Sequence, residues 1–381
     1  MNSTSKIYFP NLNGLRFIAA FLVIIHHLEQ FLSIFGKNNS WNNPTIQIIG
    51  KLGVTLFFVL SGFLITYLLL VEDRSVGTIN IKDFYIRRIL RIWPLYYTVV
   101  LAAFFILPNI SVIAIPNLMN DINEHFGFYF LLFLFFLPNL ALQGYGAVLP
   151  YASQSWSVGV EEQFYLIWPL LMKFVKNKMK LLLGVIFVYF FIQQVGFRFV
   201  KHFIGWNREM DILYYFFYSF QIYSMAVGGI FAYLAFKKQQ NDTINKYILN
   251  NYTFIIVFVA TVILIGRAYP FTLLGYSLLF GILIYNFACN KNLKNILEWK
   301  PLSYLGKISY GLYMYHPLAI VISIVIFDKV NLLQYHILLL IASTLLSVFI
   351  AGISYRFMER YFIIRKKKFS KIISGDNAYL T

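Results

Sequence analysis

A single cysteine, Cys289, stands among the 381 residues. It has no partner for an intrachain disulfide and no companion thiol for a metal, which argues against dithiol redox chemistry and a zinc–thiolate centre. Charge is scarce as well: 12% of residues are Asp, Glu, Lys or Arg, about half the usual share in soluble domains. The sequence has no GxSxG elbow, P-loop, HExxH or GxGxxG, so a conventional serine hydrolase, nucleotide hydrolase, zinc protease or dinucleotide enzyme has no support. No internal repeat and no low-complexity stretch occurs.

What fills the chain is apolar: 59% of residues are hydrophobic. Eleven runs recur, near 14–35, 52–71, 92–107, 127–142, 162–175, 180–196, 211–236, 252–267, 270–288, 308–327 and 336–358. This is the pattern of an all-α integral membrane protein, with spans of about 20 residues and no room for a soluble domain. The first run follows a short polar start without a clear small-residue cleavage site, so it is expected to persist rather than be removed. The net charge of +17 sits in short connectors: 74–91, 176–180, 237–238, 291–300 and 365–371. That distribution predicts topology rather than nucleic-acid binding, with all five clusters and both termini cytoplasmic. Only one crossing then fits between residue 127 and residue 176. The sequence therefore predicts about ten crossings, with a re-entrant segment around 138–161, one membrane domain over 1–365 and a short basic and polar tail at 366–381.

Ionisable residues inside such runs are functional candidates by default. In "NGLRFIAAFLVIIHH", Arg16 and His27 are 11 residues apart, about 16 Å of rise and about 20° past three full turns, so they share a helix face. The competing account is a snorkelling arginine and a structural histidine. In "SWSVGVEEQFYLIWPLL", Ser157, Glu161 and Tyr165 recur every four residues and line one stripe, with Glu162 beside them. Two adjacent carboxylates against an apolar run repel and are poorly solvated, an acid–base resource, unless they merely favour a helix start capped by Ser157. Arg87, Arg88 and Arg91 in "FYIRRILRIWPLYY" precede the third run. They read as a topology anchor, or as guanidiniums suited to phosphate oxygens. "ISYGLYMYHP" reads as a kinked span with His316 hydrogen-bonded structurally near Ser309 and Tyr313.

Together these motifs resemble the acyltransferase 3 family of membrane-bound bacterial acyltransferases, along nearly the whole chain. Its Arg, ten residues, His pattern matches Arg16 and His27 and selects His27 over His26. Its RRxxR matches Arg87, Arg88 and Arg91, and its SxxxExxxY matches Ser157, Glu161 and Tyr165. "GVTLFFVLSGFLIT" and "SYGLYMYHP" resemble its second and a late span. Thr55 stands where many relatives carry an acid, and the extracytoplasmic hydrolase-like domain fused to some relatives is not expected here.

The resemblance implies transfer of an acyl group, most often acetyl, from coenzyme A to a hydroxyl of a saccharide or glycolipid at the bacterial inner membrane. Acetyl-CoA would be a donor substrate, with no resident cofactor, no metal and no nucleic acid. Arg87, Arg88 and Arg91 would meet the donor's phosphates. His27 would act as general base, with Arg16 on the oxyanion, pantetheine or phosphate, and Glu161 or Glu162 orienting His27. Ser157 is the candidate for a covalent relay. The rivals are a secondary transporter or flippase of saccharide–lipid intermediates, and a structural partner in an envelope complex.

Overall fold

The computed structural model describes residues 6–115, 119–238, 242–268 and 271–374. Its eleven apolar helices are α1 Leu12–Ile34, α2 Pro44–Val76, α3 Ile81–Asn109, α4 Phe126–Leu134, α5 Trp156–Phe174, α6 Lys178–Phe203, α7 Arg208–Phe236, α8 Asn251–Gly266, α9 Leu273–Cys289, α10 Ser309–Lys329 and α11 His336–Phe369. Their starts are written in the sequence. The side chains of Asn43, Asn80, Asn177, Asn207 and Asn250 each accept a hydrogen bond from an otherwise orphaned N–H of the first turn. Gly77, in the left-handed region at φ 80°, ends α2.

Seven of these helices are long and apolar enough to cross a membrane, and α8 and α9 are shorter apolar helices. α5, with 19 residues, is long enough to span but carries Glu161, Glu162 and Lys173 and is not among the seven; the expected ten crossings need it beside those nine helices. The eleventh run is the one that fails: α4 has nine residues, about 13 Å of helix, against a hydrocarbon core of about 30 Å. After it the chain passes through a short π-helical turn at Leu140–Gly144 and a 3-10 turn at Ser153–Ser155 before α5. The irregular stretch foreseen at 138–161 is thus real but shorter, because α5 already begins at Trp156. Its backbone is held from inside: Tyr96 and Tyr97 donate to the carbonyls of Phe133 and Leu134, and Gln163 to that of Phe136, as irregular backbone at membrane depth requires.

One boundary is corrected. The arginine trio lies within the first turns of α3, not ahead of it. Arginine is a good helix former, and a hydropathy reading starts the span only where the charges stop.

α2 runs through the middle, packed against α1 and α7. Small residues permit the approach: a Cβ on Gly62 would lie 2.0 Å from the Met225 carbonyl oxygen, and one on Gly228 would lie 2.1 Å from that of Val59. With little hydrophobic drive between helices in lipid, such backbone proximity is what packing rests on. Gly62→Leu is therefore expected to abolish the folded bundle. The check is monodispersity and thermal unfolding in detergent; a wild-type melting curve would refute the close-packing account. The peripheral helices α6, α8 and α11 carry exposed Phe187, Phe191, Phe258 and Phe349 outward, as lipid-facing surfaces do.

The five basic connectors gather at one end. Lys6–Ile7 pairs in parallel with Ile373–Ser374, Arg87 binds Glu72 and the Phe369 carbonyl, Asp73 faces Lys178, and Lys238 donates to the Cys289 carbonyl. Tyr8 and the Asn11 backbone both donate to Glu298. The tail begins as a continuation of α11 through Phe369, and residues 375–381 of the expected tail lie outside the described residues. The far end carries the Lys37–Asp328 ion pair at 2.8 Å and Glu29 3.6 Å from His336.

Candidate active site

A cavity opens among the basic residues. Including its mouth it holds about 1440 Å³. Tyr8, Phe9 and Lys366 stand with Arg16, Arg88 and Arg91 around it, and it runs inward to Ser157, Phe57 and Tyr313. Ser157, Glu161 and Tyr165 all line it, so the four-residue stripe of α5 is one wall. Ser157 does not cap the helix, which begins before it. Its hydroxyl lies 2.7 Å from that of Tyr313, which also donates to the Gln154 carbonyl at 2.9 Å.

Glu161 is set among hydroxyls and cations. The Ser61 and Tyr165 hydroxyls and the charges of Arg16 and Arg88 act on it; the two hydroxyls are hydrogen-bonded to each other at 2.5 Å. Glu162 points elsewhere, accepting from the Trp93 indole at 3.0 Å, while its second oxygen is buried without a partner. The two carboxylates that look equivalent in sequence are thus separated by helix geometry, about 100° apart around α5.

The arginine trio also divides. Arg87 forms a buried ion pair with Glu72 at 2.9 Å and donates to the Phe369 carbonyl at 2.8 Å, so it ties α2, α3 and the end of α11 together. Arg88 and Arg91 line the cavity. The Arg88 guanidinium lies 5.6 Å from the Phe84 ring and 5.7 Å from the Tyr165 ring, and its buried Nε has no hydrogen-bond partner. Four cations, Arg16, Arg88, Arg91 and Lys366, line one cavity, and of these Lys366 is the one the sequence does not single out. Only the return of α11 to the basic end brings it there.

His27 does not line the cavity. Its Nδ1 is 2.9 Å from Nε2 of His316, with the rings stacked at 4.9 Å. The rise of α1 sets the backbones of Arg16 and His27 about 16 Å apart, and Arg16 lines the cavity whereas His27 does not. Neither glutamate is among the contacts of His27, whose ring neighbours are His316 and His26. The partner the sequence suggested as a carboxylate is another histidine, on α10. His26 is turned toward α2, its Nδ1 2.8 Å from the Ile46 carbonyl; Gly50 makes room for that ring, since a Cβ there would lie 2.4 Å from it. Among the described residues no cluster of three or more metal-ligating side chains occurs.

Residues 9–356 match the family described as Acyltransferase domain, Acyl_transf_3. Among curated proteins, the chain is 29% identical over 399 residues to the peptidoglycan O-acetyltransferase OatA of Listeria monocytogenes, covering 97% of this chain and 58% of that protein. It is 29% identical over 383 residues to the O-acetyltransferase OatA of Staphylococcus aureus, covering 96% and 58% respectively. The chain thus spans a little over half the length of these relatives. No solved structure matches it. With the family match running from the mouth of the cavity through α10 and most of α11, and the whole carried on a polytopic helical bundle, this protein belongs to the acyltransferase domain family.

Proposed function

We propose that this protein is a membrane O-acetyltransferase that moves an acetyl group from acetyl-CoA to a hydroxyl of a cell-wall saccharide, peptidoglycan being the acceptor class carried in the name of a relative. One observation carries the reading: a cavity lined by Arg88, Arg91 and Lys366 is lined also by Tyr313, whose own helix presents His316 to His27. Guanidiniums and an ammonium suit the phosphates of coenzyme A. The inner wall, at Phe57, Ser157 and Tyr313, is where the thioester end of the donor would lie.

On this reading the basic end is cytoplasmic, both termini lie there, and the membrane is the bacterial inner membrane, as the crowding of lysines and arginines at one end favours. The acceptor hydroxyl gives its proton to His27, its oxygen attacks the thioester carbonyl carbon, and the carbon–sulfur bond breaks. The thiolate of coenzyme A leaves and takes up a proton, so an ester and a thiol replace a thioester and an alcohol. Arg16 and Glu161 line the donor cavity. There Glu161, beside Ser61 and Tyr165, balances the cations around it. A serine relay through Ser157 is disfavoured, because its hydroxyl neighbour is Tyr313 rather than a base.

The test is reconstitution in liposomes with radiolabelled acetyl-CoA on one side and peptidoglycan fragments on the other. Label in an alkali-labile ester of the fragments, with matching release of free thiol, is the expected result. Passage of the saccharide without thioester consumption would favour a transporter and overturn the enzyme reading.

A further inference from the structure

Pro317 on α10 has no N–H, so the carbonyl one turn before it, that of Tyr313, lacks its helical donor. His316 occupies the vacancy: its Nδ1 is 2.7 Å from that carbonyl oxygen. A carbonyl only accepts, so Nδ1 of His316 carries the hydrogen, and a neutral imidazole then has a bare lone pair at Nε2. That Nε2 lies 2.9 Å from Nδ1 of His27, so His27 must donate from Nδ1. What remains bare on His27 is Nε2.

We propose that His316 is a positioning residue, which fixes His27 in the Nδ1–H tautomer so that Nε2 is the base that receives the acceptor's proton. The chain of bonds runs from a proline-vacated carbonyl through one ring to the next, and its polarity is set by the first link. His316 is fully buried, whereas His27 is only partly so, which leaves the second ring to meet a substrate while the first holds it. When Nε2 takes a proton, the His27 Nδ1–H stays donated to the lone pair of His316, and the imidazolium is stabilised without the proton leaving the ring. Elsewhere a carboxylate plays this part; a neutral imidazole does so without bringing a second charge to membrane depth.

This inference rests on the reading of His27 as base, and the experiment separates the two. The full chain is reconstituted with 15N-labelled histidine. Nuclear magnetic resonance then reads the ring nitrogens, the His27 signals among the six histidines being identified by their loss in His27→Gln. Wild type is expected to show His27 protonated at Nδ1. His316→Phe is expected to lose that single tautomer and about 10²- to 10⁴-fold of kcat, the range seen when a general base is lost or held in the wrong tautomer. Its KM for acetyl-CoA should stay within about twofold. His316→Gln, whose side-chain oxygen can accept from Nδ1–H, is expected to restore both the tautomer and most of the rate. A wild-type ring protonated at Nε2, full activity in His316→Phe, or a folded, donor-binding His316→Gln as inactive as His316→Phe would each overturn the positioning role. If His27→Ala keeps turnover, the base assignment falls instead, and the tautomer measurement shows whether the two rings are still paired as described.

Discussion

His27→Ala is expected to bind acetyl-CoA with wild-type affinity and to transfer its acetyl group about 10²- to 10⁴-fold more slowly, the contribution of a general base. The separation of the two properties is the point of the experiment. His27 does not line the cavity that Arg88, Arg91 and Lys366 line. Removing its ring should leave the donor's phosphate contacts untouched, whereas the step that takes a proton from the acceptor is lost. Isothermal titration with acetyl-CoA and a thioester-consumption assay with peptidoglycan fragments measure the two separately. Weakened donor binding with unchanged turnover would put His27 on the donor side and sink the division of labour proposed here.

Arg88→Ala should do the reverse, and by a different amount from Glu72→Gln. Arg88 presents a buried guanidinium to the cavity, backed by the Phe84 and Tyr165 rings, and its Nε is without a hydrogen-bond partner. A charged hydrogen bond lost on truncation is worth about 1.5–3 kcal/mol, so the Kd for acetyl-CoA should rise about 10- to 150-fold. Arg88→Lys should recover only part of that, since an ammonium keeps the charge but not the fork. Glu72→Gln removes the partner of Arg87, which does not line the large cavity and holds α2, α3 and α11 together. Breaking one side of a buried pair is chiefly a stability loss. That variant should melt at a lower temperature yet bind the donor within about threefold of wild type. A large loss of affinity in Glu72→Gln with none in Arg88→Ala would reverse the assignment of the two arginines.

Much of the molecule was legible beforehand because its causes are local. Run length and charge decide whether a segment suits a bilayer, and eleven runs became eleven helices. Asparagines mark where several begin. The stripe of Ser157, Glu161 and Tyr165 follows from a helix's own periodicity and needs no neighbour. The arginines of α3 show where such reading fails. Hydropathy excludes charged residues from a span, yet α3 begins ahead of them, because a helix is stopped by caps and backbone chemistry rather than by charge facing a cavity.

Composition and spacing along the chain already make this a helical membrane bundle, put its basic connectors at one end, and set Arg16 and His27 on one face of α1. Each of these depends on spacing along one helix or on the composition of one segment. Tertiary structure alone decided which groups meet. It gave His27 a partner 289 residues away in His316, withdrew Arg87 into an ion pair while leaving Arg88 in the cavity, and brought Lys366 from the far end of the chain to stand with it. The physical reason is that a hydrogen bond or ion pair is set by distances of about 3 Å. Whether two helices approach that closely depends on which small residues let their backbones pack, and sequence separation carries no trace of it.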